Sequence, residues 1–166
     1  LREMALRFIN SHGPATRQDL TWWSGLTSKD GAAGLESAES LLGMMEFNGQ
    51  NYWYPPGQKD ADSGHVRVHL LPAFDEYLMG YKDRSQVLAP HYARRLNDGG
   101  GIIKPAILVD GTIRGTWKKK ILKGTALVTP EWFDEAGRSN DVDLNNAAKR
   151  YGEFLGMPVK IAWDAS

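Results

Sequence analysis

The chain has 166 residues, 42% of them hydrophobic and including six Trp and six Tyr, which is enough to fill a folded core and excludes disorder throughout. There is no Cys, so disulfides and thiolate zinc sites are excluded, and of the four scattered His only His65 and His69 share a run, where strand spacing sets them about 13 Å apart, too far for one metal. The net charge is zero but segregated: between Lys82 and Lys123 ten basic residues stand against three acidic ones, a local +7 that attracts polyanions.

No apolar run approaches the roughly 20 residues of a membrane span, and Leu1 opens directly on an amphipathic pattern, so no membrane is implied and the expected location is cytoplasmic. The sequence opens on Leu1 without an initiator Met, so the expectation is an excised part of a longer chain, with motifs absent here expected upstream.

In chain order, Leu1, Met4, Ala5, Phe8 and Ile9 repeat at helical spacing and predict a first helix that Gly13-Pro14 stops. Thr16 with Asp19 three residues on predicts the capped start of a short second helix, closed by Gly25. Thr27 or Ser28 caps a third, with Leu35, Ala38, Leu41, Leu42 and Met45 at helical positions. Two β-rich runs around Asn48-Gly49 then predict a hairpin, because both turn residues tolerate positive φ. Three helices and a hairpin, in that order, describe a winged helix over residues 1–57.

Residues 58–65 are rich in breakers and read as a linker, leaving 66–166 as a second domain. Val66, Val68 and Leu70 alternate as a strand does. Pro72 suits the first turn of a helix through Phe74, Leu78 and Tyr81, Ser85 caps another short helical piece, and Pro90 begins the next. Gly99-Gly100-Gly101 has no helix behind it, so it is a flexible joint and not a phosphate loop. Asp110-Gly111 predicts a second hairpin, Thr125–Thr129 a third strand, Asp141 or Asp143 the cap of a final helix, and Val159, Ile161 and Trp163 a last strand. The expected fold class is therefore α+β: a winged helix of three helices plus a β-hairpin, followed by a small antiparallel β-barrel-like domain with flanking helices.

The stretches FDEYLMGYKDRS and ILVDGTIRGTWK, with a downstream helix ending in FLG, resemble the C-terminal part of the winged-helix DNA-binding family that includes the AlkZ/YcaQ-type bacterial DNA glycosylases. The resemblance runs from about Arg7 to Val159. It implies tandem winged helices and a β-barrel that present a basic surface to duplex DNA. It also implies a catalytic Gln-x-Gln or Gln-x-Asp pair in an N-terminal half that this chain lacks. Gln58-Lys59-Asp60 alone has the spacing, but its central residue is not aliphatic and it falls in the breaker-rich linker, where nothing would hold the side chains against an extruded base. No catalytic residue is therefore assigned, and no cofactor or metal.

The first 57 residues carry four basic and six acidic side chains, and the third helix bears Asp30, Glu36 and Glu39 against Lys29 alone. A groove-reading helix needs the opposite balance, so this unit reads as scaffold. Asp75-Glu76 reads as first-turn capping of its helix, and Trp22-Trp23 as core. The candidate DNA-binding residues are Arg84, Arg94, Arg95, Lys104, Arg114, Lys118, Lys119, Lys120 and Lys123. Strand alternation places Arg114, Thr116, Lys118 and Lys120 on one side of a ribbon, with Ile113, Gly115, Trp117 and Lys119 on the other. Consecutive lysines also protect an edge strand, but here basic residues accumulate around them. The function expected is a non-catalytic DNA-binding portion of a glycosylase-like protein, with duplex DNA as partner. The alternative is a protein-interaction or regulatory module without nucleic acid.

Overall fold

The computed structural model describes residues 1–57, 67–97, 99–138 and 141–163. It divides into two compact units, Leu1–Asp62 with Glu76–Arg84, and Ser63–Asp75 with Ser85–Ser166. The expected linker at 58–65, Gln58-Lys59-Asp60, and the opening of the Val66 strand lie outside the described residues.

In the first unit α1 (Arg2–His12) turns Ala5, Phe8 and Ile9 inward. Phe8 is fully buried, and truncating it to alanine would cost about 3–5 kcal/mol. α2 (Arg17–Ser24) starts on the capping box read from sequence: the Asp19 N–H donates to Thr16 Oγ1 at 3.1 Å, and the Thr16 N–H donates to Asp19 Oδ2 at 2.9 Å. Gly25 ends it in the left-handed region at φ 71°. α3 (Ser28–Ala38) is capped by Thr27 and crosses α1 closely, since a Cβ at Gly34 would stand 3.2 Å from the Leu1 carbonyl oxygen.

The third helix is shorter than its apolar spacing suggests. Ala38 is its last residue, Glu39–Leu41 form a single 3-10 turn, and Met45 belongs to a strand. The hairpin decides this: β1 (Gly43–Phe47) pairs with β2 (Gln50–Tyr54) about Asn48-Gly49, at φ 49° and 73°, and the ladder draws in residues that local periodicity gives to the helix. Ala15 bridges Trp53 through two backbone bonds of 3.0 and 2.9 Å, so β2 also holds the α1–α2 connection.

The helix expected from Pro72 is one turn, α4 (Glu76–Met79). Phe74 is half exposed with φ 57°, so the chain reverses direction there and cannot be helical. α4 and the residues to Arg84 group with the first unit, held by side chains from α1 and α2. Trp22 Nε1 donates to the Met79 carbonyl at 3.0 Å, Trp23 Nε1 to Glu76 Oε1 at 2.6 Å, and the Tyr81 hydroxyl to the His12 carbonyl at 2.7 Å. Both tryptophans are nearly half exposed, which corrects their reading as core. Glu76 likewise does more than cap a first turn, because its carboxylate accepts the Trp23 bond and lies 3.1 Å from His12 Nε2.

The second unit is built on a five-stranded sheet in the order β3 (Val68–Leu71), β4 (Ala106–Val109), β5 (Thr112–Leu122), β6 (Thr125–Trp132) and β7 (Val159–Ile161). Asp110-Gly111 turns β4 into β5 as expected, and Lys123-Gly124, at φ 47° and 76°, turns β5 into β6. Ser85 begins a turn rather than a helical piece, whereas Pro90 does start a 3-10 turn that leads into α5 (Ala93–Leu96). Past the one-turn α6 (Glu135–Arg138), α7 (Asp141–Leu155) packs Leu144 and Ala147 on Val68, Ile107, Val109, Trp117 and Val128.

One expectation fails here. β7 is parallel to β6, not antiparallel, because α7 carries the chain back along the sheet before it re-enters. With β3 and β7 as edges, the sheet is open among the described residues, so the fold is mixed α+β and not an all-antiparallel barrel.

Candidate nucleic-acid interface

β5 has 11 residues and a sharp change of environment along its length. From Ile113 to Trp117 it is largely buried, and Trp117 Nε1 donates to the Leu71 carbonyl at 2.8 Å. From Lys118 to Leu122 every side chain is exposed, although Ala126, Val128 and Pro130 on the paired β6 stay buried. The strand is anchored in the core at one end and carries its lysines on the other.

The simple alternation expected of β5 is broken at Arg114. Ile107 pairs with Gly115 and Leu108 with Ile113, so Arg114 is the extra residue of a β-bulge. Directly paired residues share a face. Ile113, paired with Leu108, therefore lies on the face of Thr116, Lys118 and Lys120, while Gly115, Trp117 and Lys119 share the face of Ile107 and Val128. Arg114 is half-buried and adds its charge to the field at Asp134 and Tyr92. It is not the first cation of a regular row, as sequence spacing suggested. Lys118 and Lys120 keep the i,i+2 relation, about 7 Å apart.

The other candidates are dispersed. Lys118 Nζ stands 3.6 Å from Glu131 Oε2, an exposed and weak pairing. Lys119, on the opposite face, places its ammonium 5.9 Å from the Tyr151 ring centroid. Lys120 and Lys123 are exposed and have no ion pair among the described residues.

Arg95 is occupied: it donates to the Phe133 carbonyl at 2.6 Å and the Trp132 carbonyl at 2.8 Å, with its guanidinium 4.7 Å from the Phe133 ring centroid. Arg94 is exposed on α5, and Lys104 is half-buried before β4. Arg84 groups with the other unit, donates to the Leu78 carbonyl, and has its pKa lowered by burial. The structure thus brings Lys118, Lys119, Lys120 and Lys123 together at one hairpin end and assigns Arg84 and Arg95 to holding the backbone.

The sequence reading missed what surrounds Asp134. Its carboxylate accepts the Gly137 N–H at 2.9 Å and the Tyr92 hydroxyl at 3.0 Å, and these bonds, the amide first, hold its pKa below the ordinary 3.8. Nothing in the local pattern joins residues 42 positions apart. Among the described residues no group of His, Cys, Asp or Glu would hold a metal ion, and no helix is long and apolar enough to cross a membrane.

An open mixed sheet with a lysine-bearing hairpin, and a separate compact unit of three helices and a small hairpin, define a class that sequence comparison makes specific. The chain belongs to the DNA glycosylase AlkZ-like family, whose sequence model matches residues 1–154. It is 26% identical over 135 residues to the interstrand DNA cross-link repair glycosylase of Streptomyces sahachiroi, covering 74% of this chain and 34% of that protein. Its fold is similar to the solved structure of Streptomyces sahachiroi DNA glycosylase AlkZ, with a TM-score of 0.73 at 22% identity over 93% of this chain and 43% of the other. The chain therefore spans less than half the length of either relative.

Proposed function

We propose that this chain is the non-catalytic, DNA-binding portion of a cytoplasmic, glycosylase-like winged-helix protein, and that it meets the backbone of duplex DNA through the β5–β6 hairpin. The observation that carries the proposal is the exposure of Lys118, Lys119 and Lys120, with Lys123 in the turn that follows, on a strand whose other half is fixed in the core. A cation on an anchored strand gives up less freedom on meeting a phosphate than one on a loop. The 7 Å step from Lys118 to Lys120 is close to the roughly 6–7 Å between successive phosphates of one strand, so both engage one backbone and orient it without reading bases.

The first unit supports the winged-helix reading. Its order is α1, the Ala15 bridge, α2, α3 and the β1–β2 hairpin, with the bridge pairing to the hairpin as a short additional strand. Its acidic α3 argues for scaffold rather than groove reading. In the same reading the chain releases no base by itself, because the Gln pair implied by the family resemblance is not in this sequence. Purified chain incubated with alkylated duplex is expected to leave abasic sites at background level, and sites above background would place catalysis within these residues.

The DNA contact is tested by fluorescence anisotropy on a short duplex across a salt series. The log–log slope is about −0.9 for each phosphate neutralised, so replacing Lys118, Lys120 and Lys123 with alanine is expected to flatten it by about two to three. Replacing Arg2, Arg7 and Arg17 should leave it unchanged. The reverse pattern would move the DNA surface to the first unit.

A further inference from the structure

We propose that Phe154, with Tyr151 and Lys119, forms a stacking shelf for an unpaired DNA base, which rests on the hairpin's contact with duplex and adds the form of DNA it meets: duplex whose strands part beside the hairpin. All three residues belong to the second unit. Phe154, in the last turn of α7, is 83% exposed, more than any other large hydrophobic side chain among the described residues. A single exposed apolar side chain is ordinary. What sets this one apart is how its ring is held. Trp117, buried and bonded to the Leu71 carbonyl, meets the Tyr151 ring edge-on, with centroids 5.2 Å apart and planes at 73°. Tyr151 is half-buried by that packing, and the Phe154 ring lies only 19° from parallel to it at 6.4 Å. The aromatic stack therefore grows outward from the core and ends on a ring open to solvent.

The charge around this stack is positive. Lys119 shares the face of Trp117, on which α7 packs, and its ammonium stands 5.9 Å from the Tyr151 centroid. Arg150, one helical turn before Phe154, is exposed and fixed by a bond to the Val68 carbonyl at 2.7 Å. The neighbouring acid, Glu153, lies on the other flank of α7, where it lines the groove against β7. A flat ring with fixed cations beside it matches a nucleotide, which brings a planar base and a phosphate together. An apolar peptide segment fits it less well, because covering the ring would desolvate the cations without pairing them. Inside a duplex the faces of a base are covered by its neighbours, so only an unpaired base can use the shelf. Lys119 stands between Lys118 and Lys120 on the opposite face of β5, so a strand that leaves duplex held by those two finds its next cation on the side of the stack.

The probe is a forked duplex with two unpaired thymine arms, one of each polarity, set against the same fork with abasic arms, which keeps every phosphate and has no arm base. In fluorescence anisotropy the thymine fork is expected to bind about fivefold or more tighter than the abasic one, and the Phe154 ring protons to shift upfield with the thymine fork only. Phe154→Leu keeps an apolar side chain and removes the ring, so it should abolish the difference, whereas Phe154→Trp should keep it; at so exposed a position both variants fold as the parent does. Lys119→Ala should flatten the salt slope on both forks by about 0.7, the value of one single-strand phosphate. Equal affinity of the parent for the two forks, a leucine variant that retains the difference, or an unmoved slope in Lys119→Ala would each overturn the proposal. Broadening of the Phe154 ring signals in DNA-free chain, rising with protein concentration, would overturn it in favour of a second copy. The hairpin contact is judged apart from this, on blunt duplex, where Phe154→Leu should change nothing.

Discussion

Replacing Asp19 with alanine removes a carboxylate that is 5% exposed and that holds two separate parts of the first unit. Its Oδ2 accepts from the Thr16 N–H at 2.9 Å and the Thr16 hydroxyl at 2.7 Å, which fixes the start of α2. Its Oδ1 accepts from the Lys82 N–H at 2.8 Å, which holds the segment after α4. A hydrogen bond to a charged group is worth about 1.5–3 kcal/mol net, and water can reach Lys82 once the carboxylate is gone, so the sum is discounted to about 3 kcal/mol for alanine. Asparagine keeps one oxygen at nearly the same place and has to give up either the cap or the Lys82 bond, at a cost of about 1–2 kcal/mol. The assay is native-state hydrogen exchange with urea unfolding of the full chain alongside. In Asp19→Ala the Lys82 amide should exchange about a hundredfold faster, as about 3 kcal/mol implies, with Asp19→Asn between it and the parent. An alanine variant whose Lys82 exchange and urea midpoint both match the parent would show that these three bonds are not what holds residues 76–84.

Gly115→Ala should cost about 1–3 kcal/mol in urea unfolding, because the new Cβ would stand 2.8 Å from the Glu131 carbonyl oxygen and 3.2 Å from Trp132 Cα, backbone that has little room to move; an unchanged midpoint would mean the bulge relaxes freely. Tyr92→Phe should raise the Asp134 pKa toward 3.8 in a carboxyl NMR titration, and an unmoved titration would show that the hydroxyl bond is not made in solution. The sign follows from a depressed folded value: Asp134 contributes stability above its unfolded pKa and loses it as pH falls through the folded one, so the parent should exceed the variant at neutral pH and converge with it in acid.

Local chemistry carried the capping box at Thr16 and Asp19 and the turns at Asn48-Gly49 and Asp110-Gly111, since each is decided within four residues by side chains that satisfy the backbone or tolerate positive φ. Readings that needed a distant partner did not survive. The third helix lost Met45 to a strand whose mate lies beyond a turn, and the helix expected from Pro72 shrank to one turn because its aromatic partners, Trp22 and Trp23, lie on α2. The parallel entry of β7 was illegible for the same reason: alternation at Val159 and Ile161 gives a strand but carries no direction.

The ribbon shows how one unreadable residue changes a site. Alternation from Arg114 to Lys120 gives a row of three cations, a geometry that treats β5 as regular. The bulge adds one residue against β4 at Arg114, so the row that survives starts at Thr116. Yet the bulge also explains why the row can exist. Without it Ile113 would turn to the face of Trp117, and the burial that anchors β5 would be lost from the Leu108 side. The register that takes Arg114 out of the row is thus the one that lets the inner half of β5 pack on both faces while Lys118, Lys120 and the Lys123 turn stand clear of the core. A buried inner half and ammonium groups held on an exposed extension of the same strand divide anchoring from contact, which is the division a backbone-binding ribbon requires.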